Sequence, residues 1–287
     1  MKKSFILLGI LALLLSACTI TNDGITINTQ TVTGSGVVTT EERTVSGFDA
    51  VALQSIGNVQ ISHGDTESIT IKADENLLPY ITTEVEDGTL EISTKPGYNI
   101  NPSQTIVYEV TVKSLSAVTL SGFGNINADS LEGASMSARL TGSGDIRIDE
   151  VLGDAFTLDL TGFGDVELAK LEAPAADINL TGSGDIVVPA LTTEDLKLVI
   201  SGFGDATISG VATKLNVSLT GSGSYIGGDL QSETAALTIS GFGDATAWVT
   251  ETINITITGS GNVDYYGSPT VSTTLTGFGS VESLGEH

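Results

Sequence analysis

The chain of 287 residues has a single cysteine, Cys18, so no disulfide can form within it and whatever holds it together is noncovalent. Tryptophan (1), methionine (2) and proline (6) are scarce, and only 5% of residues are aromatic, so a core of bulky rings is excluded. Basic residues are also few. Against 35 Asp and Glu there are 11 Lys and Arg, a formal net charge of -24. Such a surface repels nucleic acid and anionic lipid headgroups, and nucleic acid is not expected as a partner. With two histidines, His63 and His287, no Ser–His or Cys–His arrangement and no metal cluster can be assembled, and no cofactor is indicated. Sustained 3.6-residue periodicity is missing too, which argues against helices. What remains is a hydrophobic fraction of 40%, too high for a disordered acidic tail, together with 34 glycines and many small and β-branched residues. This composition points to short strands and tight corners.

The longest apolar run, Phe5 to Leu15, falls short of the ~20 residues a membrane-spanning helix needs. Lys2 and Lys3 precede it and Leu15-Ser16-Ala17-Cys18 follows. A basic start, a short apolar stretch and small residues before a cut site describe a secretory signal peptide, here residues 1–17. Leu-Ser-Ala-Cys is similar to a bacterial lipobox, in which Cys18 becomes the lipidated first residue of the exported chain. The expected partner is therefore a membrane, reached through the lipid on Cys18. The polar residues 18–36 read as a tether, residues 37–117 as irregular β coils and a cap, and 118–283 as a regular repeat.

In that repeat Gly-x-Gly begins at Gly122, Gly142, Gly162, Gly182, Gly202, Gly221, Gly241, Gly259 and Gly277, a spacing of 18 to 20 residues. A fixed period of this length is a solenoid signature. Around each glycine pair the residues alternate with period two, as in Leu158-Asp159-Leu160 before and Val166-Glu167-Leu168 after, the pattern of half-buried strands. A third apolar position recurs at Leu131, Val151, Leu171, Leu191, Val211, Leu230 and Val249. Three apolar contacts per unit predict an all-β fold, a single-stranded right-handed parallel β-helix of about 20 residues per coil. Glycine suits the corner because it tolerates positive φ and because stacked corners leave little room for Cβ atoms.

Two columns stand out as candidate sites. The middle residue of Gly-x-Gly alternates between Phe and Ser, giving Phe123, Phe163, Phe203, Phe242 and Phe278. With one unit per coil these rings recur every second coil. They form a surface on which sugars could stack, or else they fill or cover a corner of the core. After the second glycine comes Asn125, Asp145, Asp165, Asp185, Asp205, Ser224, Asp244, Asn262 and Ser280. Stacked carboxylates could share Ca²⁺. Alternatively each Asp accepts backbone N–H bonds at its own corner, as Asx turns do, and the Asn and Ser members favour that reading. No metal ligand set is assigned. The one arrangement suggesting catalysis is Arg147 two residues from Asp145, with Arg139 a strand earlier. Among so many acidic residues these read as surface charges, and no catalytic residue is assigned.

Arg43-Thr44-Val45-Ser46-Gly47-Phe48-Asp49-Ala50-Val51, then Gly57-Asn58-Val59 and the repeated Gly-Ser-Gly-Asp-Ile, resemble the head GIN domain family of autotransporter adhesins across roughly residues 37–283. The resemblance implies a β-helix related in shape to pectin and polysaccharide lyases, without catalytic residues to carry over. The chain departs from the family in its alternating Gly-Phe-Gly and in its number of coils. The expectation is a non-catalytic, lipid-anchored binding or structural module of the cell envelope, adhesin-like, with an extracellular glycan or protein as partner. A polysaccharide-binding or polysaccharide-lyase-like β-helix is the alternative.

Overall fold

The computed structural model describes residues 29–287, so the signal segment and Cys18 lie outside the described residues. The chain winds into a parallel β-solenoid of about eight turns with a spacing of about 20 residues. One helical element is present among the described residues, a 3-10 turn at Leu78–Tyr80.

The two-residue alternation read from the sequence becomes a set of inward columns. In the coil from Ile146 to Leu160, the side chains of Ile146, Ile148, Val151, Phe156, Leu158 and Leu160 are buried. Alternation breaks where the coil bends. Asp149 and Glu150 are both exposed, and the ladder passes from Ile148↔Leu168 to Glu150↔Lys170. Each inward residue rests on its equivalent one coil away, as in Leu158↔Ile178 and Leu160↔Leu180. A single coil could not bury these side chains, and stacking joins them into one continuous core.

Columns tolerate variation when neighbours compensate. Phe156 lies between Met136 and Ala176. Tyr225 is fully buried between Ala206 and Ala245, and its ring reaches the space beside Gly227, where any Cβ would strike the phenol. The coil containing Gly210 is one residue short and shifts the ladder, which pairs Leu191 with Gly210 and Thr192 with Val211. Val211, expected as a core position, is therefore 52% exposed, and Ala212 is buried beside it.

The entry coil is built out of sequence order. Strands Ala50–Leu53 and Asn58–His63 pair on one side with Thr89–Thr94 and Val107–Val112, and on the other with Ala117–Leu120 and Ile126–Gly133. The chain thus makes one coil, leaves it to form the end of the solenoid, and returns on its far side. Antiparallel strands cover that end: Val38–Arg43 pairs with Ser68–Asp74, Ser68–Asp74 with Val107–Val112, and Ile81–Glu86 with Thr89–Thr94. Open edges and apolar ends invite association, and these strands block both.

The expected tether, residues 18–36, requires a correction. Gln30–Thr33 is a strand paired in parallel with Tyr98–Asn101. Asp74 ties this segment down. Its carboxylate accepts from the hydroxyl of Ser103 at 2.6 Å, the Ser103 N–H at 2.8 Å and the Gly36 N–H at 2.7 Å. These bonds, the Ser103 hydroxyl first, hold the carboxyl below its ordinary range. At the opposite end the strand Thr270–Leu275 is exposed throughout; its inward positions are mixed, with Val271, Leu275 and Val281 continuing the apolar columns and the polar Thr273 and Ser283 interrupting them.

Candidate functional site

The corner that carries Gly-x-Gly recurs in each repeat, and the corners stack into one strip along the solenoid. Bridges Ile56↔Phe123, Phe123↔Ser143 and Ser143↔Phe163 place the middle residues of successive units above one another. One unit therefore makes one coil, and the phenylalanines occupy every second rung.

Glycine is needed here mainly for space. A Cβ on Gly164 would fall on the carbonyl of Gly144, and one on Gly184 on the carbonyl of Gly164. Positive φ is a further reason at Gly124, Gly144 and Gly164, but Gly184 and later members of the column lack it. Sequence alone gives the two reasons equal weight; close approach of backbone is the common one.

Since the glycines face the neighbouring coil, the residue between them points to solvent. Phe123, Phe163, Phe203, Phe242 and Phe278 are between 65% and 96% exposed. They neither fill nor cover the core. Ile56 occupies the same position in the entry coil, an equivalence visible in Ile56-Gly57-Asn58 but not singled out from sequence.

The Asx column is a hydrogen-bonded ladder. Each side-chain oxygen accepts the backbone N–H of the equivalent residue one coil further on, from Asn58 and Asn125 through Asp145, Asp165, Asp185 and Asp205 to Ser224, Asp244 and Asn262, ending at Ser280. Distances run from 2.6 to 3.3 Å. The donor is thus in the next coil, not at the residue's own corner as the Asx-turn expectation had it. The parallel stack offers each oxygen an N–H from the neighbouring rung. This explains why Asp, Asn and Ser interchange, because each supplies an acceptor. Among the described residues, no group of three His, Cys, Asp or Glu converges as a metal site.

The ladder reading predicts that Asp165→Asn with Asp185→Asn melts within about 0.5 kcal/mol of the parent, or slightly higher as like charges are removed. Asp185→Ala should cost about 1 kcal/mol by leaving the Asp205 N–H without its acceptor. A melting temperature that rises with added Ca²⁺ in the parent, and not in the double Asn chain, would show an ion-binding role instead.

A third row becomes apparent only once the coils are stacked. The residues before the first glycine, among them Thr141, Thr161, Thr181, Ser201 and Thr220, are exposed hydroxyls at a fixed offset. Across the strip the order is therefore hydroxyl, ring or serine, then carboxylate or amide. Arg147 lies beside it, exposed, 3.1 Å from Glu167 and 4.0 Å from Asp145. Arg139 is on a neighbouring face opposite Asp159. An open groove of about 700 Å³ lies at another corner, lined by Lys170, Glu172, Pro174, Glu194 and Val211. Lys170 there is engaged by Glu172 at 3.4 Å and Glu150 at 3.9 Å.

The family described as "Putative auto-transporter adhesin, head GIN domain" matches residues 47–169 and 157–269, two overlapping stretches that span entry coil, cap and repeats. No curated protein is matched by the chain. Among solved structures, a "putative adhesin" from Parabacteroides merdae is 26% identical, with a TM-score of 0.66 over 88% of this chain and 99% of its own. Another from Parabacteroides distasonis is 23% identical, with a TM-score of 0.68 over 89% of this chain and all of its own. A "putative lipid binding protein" from the same species, 24% identical, has a TM-score of 0.59 over the same shares.

Proposed function

Because the chain belongs to the auto-transporter adhesin head GIN domain family, we propose that it is a non-catalytic binding module of the cell envelope whose contact surface is the Gly-x-Gly strip. The observation that carries this reading is the row of five exposed phenylalanines. Ser143, Ser183, Ser222 and Ser260 occupy the same corner position in alternate repeats, so the corner itself forms without a ring. An exposed apolar row kept at regular intervals on an otherwise acidic surface marks an interaction site.

The charged side chains nearby support a role in binding over one in chemistry. Arg147, the one candidate for proton abstraction, is engaged by two carboxylates. Export and anchoring through a lipid on Cys18 complete the proposal, supported by the basic start, the short apolar run and Leu15-Ser16-Ala17-Cys18.

Cells producing the full chain are expected to adhere to surfaces coated with extracellular glycan or protein. Replacing all five phenylalanines by serine should reduce adherence to that of cells lacking the chain, at unchanged protein level. Cys18→Ala should shift the protein from the membrane to the soluble exported fraction, or leave its signal segment uncut. Full adherence by the five-serine chain would remove the strip from consideration, and normal processing with membrane retention of Cys18→Ala would remove the lipid anchor.

A further inference from the structure

We propose that the strip binds a neutral, extended β-1,4-linked polysaccharide running parallel to the solenoid axis, a reading that rests on the strip being the contact surface. Rungs of a parallel ladder lie ~4.8 Å apart, so rings on alternate rungs recur about every 9.5 Å. Phe123, Phe163, Phe203, Phe242 and Phe278 keep this interval along the whole repeat, with a serine on each rung between. Two sugar rings of a flat β-1,4-linked chain span slightly more than this interval. One sugar in two can therefore lie against a phenyl face over two or three successive rings before the register drifts. An α-1,4-linked chain coils and loses that register.

Flanking rows supply the polar contacts. On one side stand hydroxyls such as Thr161 and Thr181. On the other, the Oδ1 atoms of Asp165, Asp185 and Asp205 are committed to the ladder, which leaves each Oδ2 available to accept a sugar hydroxyl. The same carboxylates repel uronic or sulfated chains, so the ligand is neutral.

Other occupants fit less well. In a lipid surface the carboxylate row would be desolvated and held against anionic headgroups. A second copy of the chain meets a symmetry conflict. A two-fold axis parallel to the solenoid sets ring against ring at equal height, whereas one across the strip interleaves the rings but sets the Asp row on the Asp row. A linear neutral polymer has neither difficulty.

The test titrates the purified full chain, held in detergent, with cellotetraose, cellohexaose and soluble β-1,4-glucan, with maltohexaose as control. Affinity should rise at least several-fold from tetraose to hexaose, and maltohexaose should not bind. Phe203→Ser, which copies the native serine rung, should weaken β-glucan binding roughly threefold to tenfold, the value of one aromatic contact. Equal affinity for the two linkages, absence of β-glucan binding, or an unaffected Phe203→Ser would each overturn the proposal. If cells still lose adherence with the five-serine chain while β-glucan fails to bind, the strip remains the contact surface and the glycan assignment alone is wrong.

Discussion

Gly164→Ala is expected to destabilise the chain by at least about 3 kcal/mol, among the largest effects a single methyl group can have. The added Cβ would occupy the position of the Gly144 carbonyl, and the backbone there has φ +141, which L side chains rarely adopt. Neither neighbour can yield, because each corner is clamped by the next: the Phe163 N–H donates to the Gly142 carbonyl at 3.0 Å, and the Gly144 N–H to the Phe163 carbonyl at 3.0 Å. Two companion substitutions separate the causes. Gly184→Ala meets the same carbonyl crowding without positive φ and should cost nearly as much. Gly97→Ala has φ +84 with open space around it and should cost only the backbone strain, about 1–2 kcal/mol. Urea unfolding of the three variants is the measurement. If Gly184→Ala proved as mild as Gly97→Ala, stacking of the corners would not be what demands glycine.

Truncation of the core columns should come second. Leu160→Ala and Leu180→Ala each remove a fully buried side chain sandwiched between equivalents one coil away, and each should cost roughly 2–5 kcal/mol. Asp159→Ala, one residue away on the outer face, should cost about 0.5 kcal/mol or less. Position along the solenoid also matters, because each coil contacts only its neighbours. Leu275 belongs to the same column but lies in the last coil, 49% exposed, so Leu275→Ala should fall well below Leu160→Ala. Equal losses at 159, 160 and 275 would contradict the inside–outside assignment and the nearest-neighbour origin of the stability.

Much of this architecture could be read from residues alone, and the reason is periodicity. The unit repeats every 18 to 20 residues, and each inward Leu, Ile or Val contacts its own equivalent. A pattern in one coil is therefore also a statement about its neighbours, and composition together with period determines the solenoid, its corner glycines and its columns. The candidate strip was legible in part. The Phe/Ser alternation and the Asx column were visible, but whether the rings faced inward was not, since a phenylalanine beside glycines fits a crowded core as well as a surface. That outcome needed the position of the neighbouring carbonyls, which sends both glycines toward the adjacent coil and the residue between them into solvent.

Where contacts depart from the period, tertiary structure alone decides. Residues 64–116 build the end of the solenoid before the chain returns to the far side of its first coil, a pairing that no local pattern announces. The short coil at Gly210 exposes Val211 and buries Ala212, because one missing residue reverses which side of the strand faces inward. Tyr225 is accommodated only because Ala206, Ala245 and Gly227, up to twenty residues away, are small. The direction of the Asx ladder also depends on the stack, since the N–H that each oxygen accepts belongs to the next coil. Sequence determined what repeats through nearest-neighbour contacts of like with like; the three-dimensional structure decided the exceptions, where volume, register and hydrogen-bond partners are supplied by residues distant along the chain.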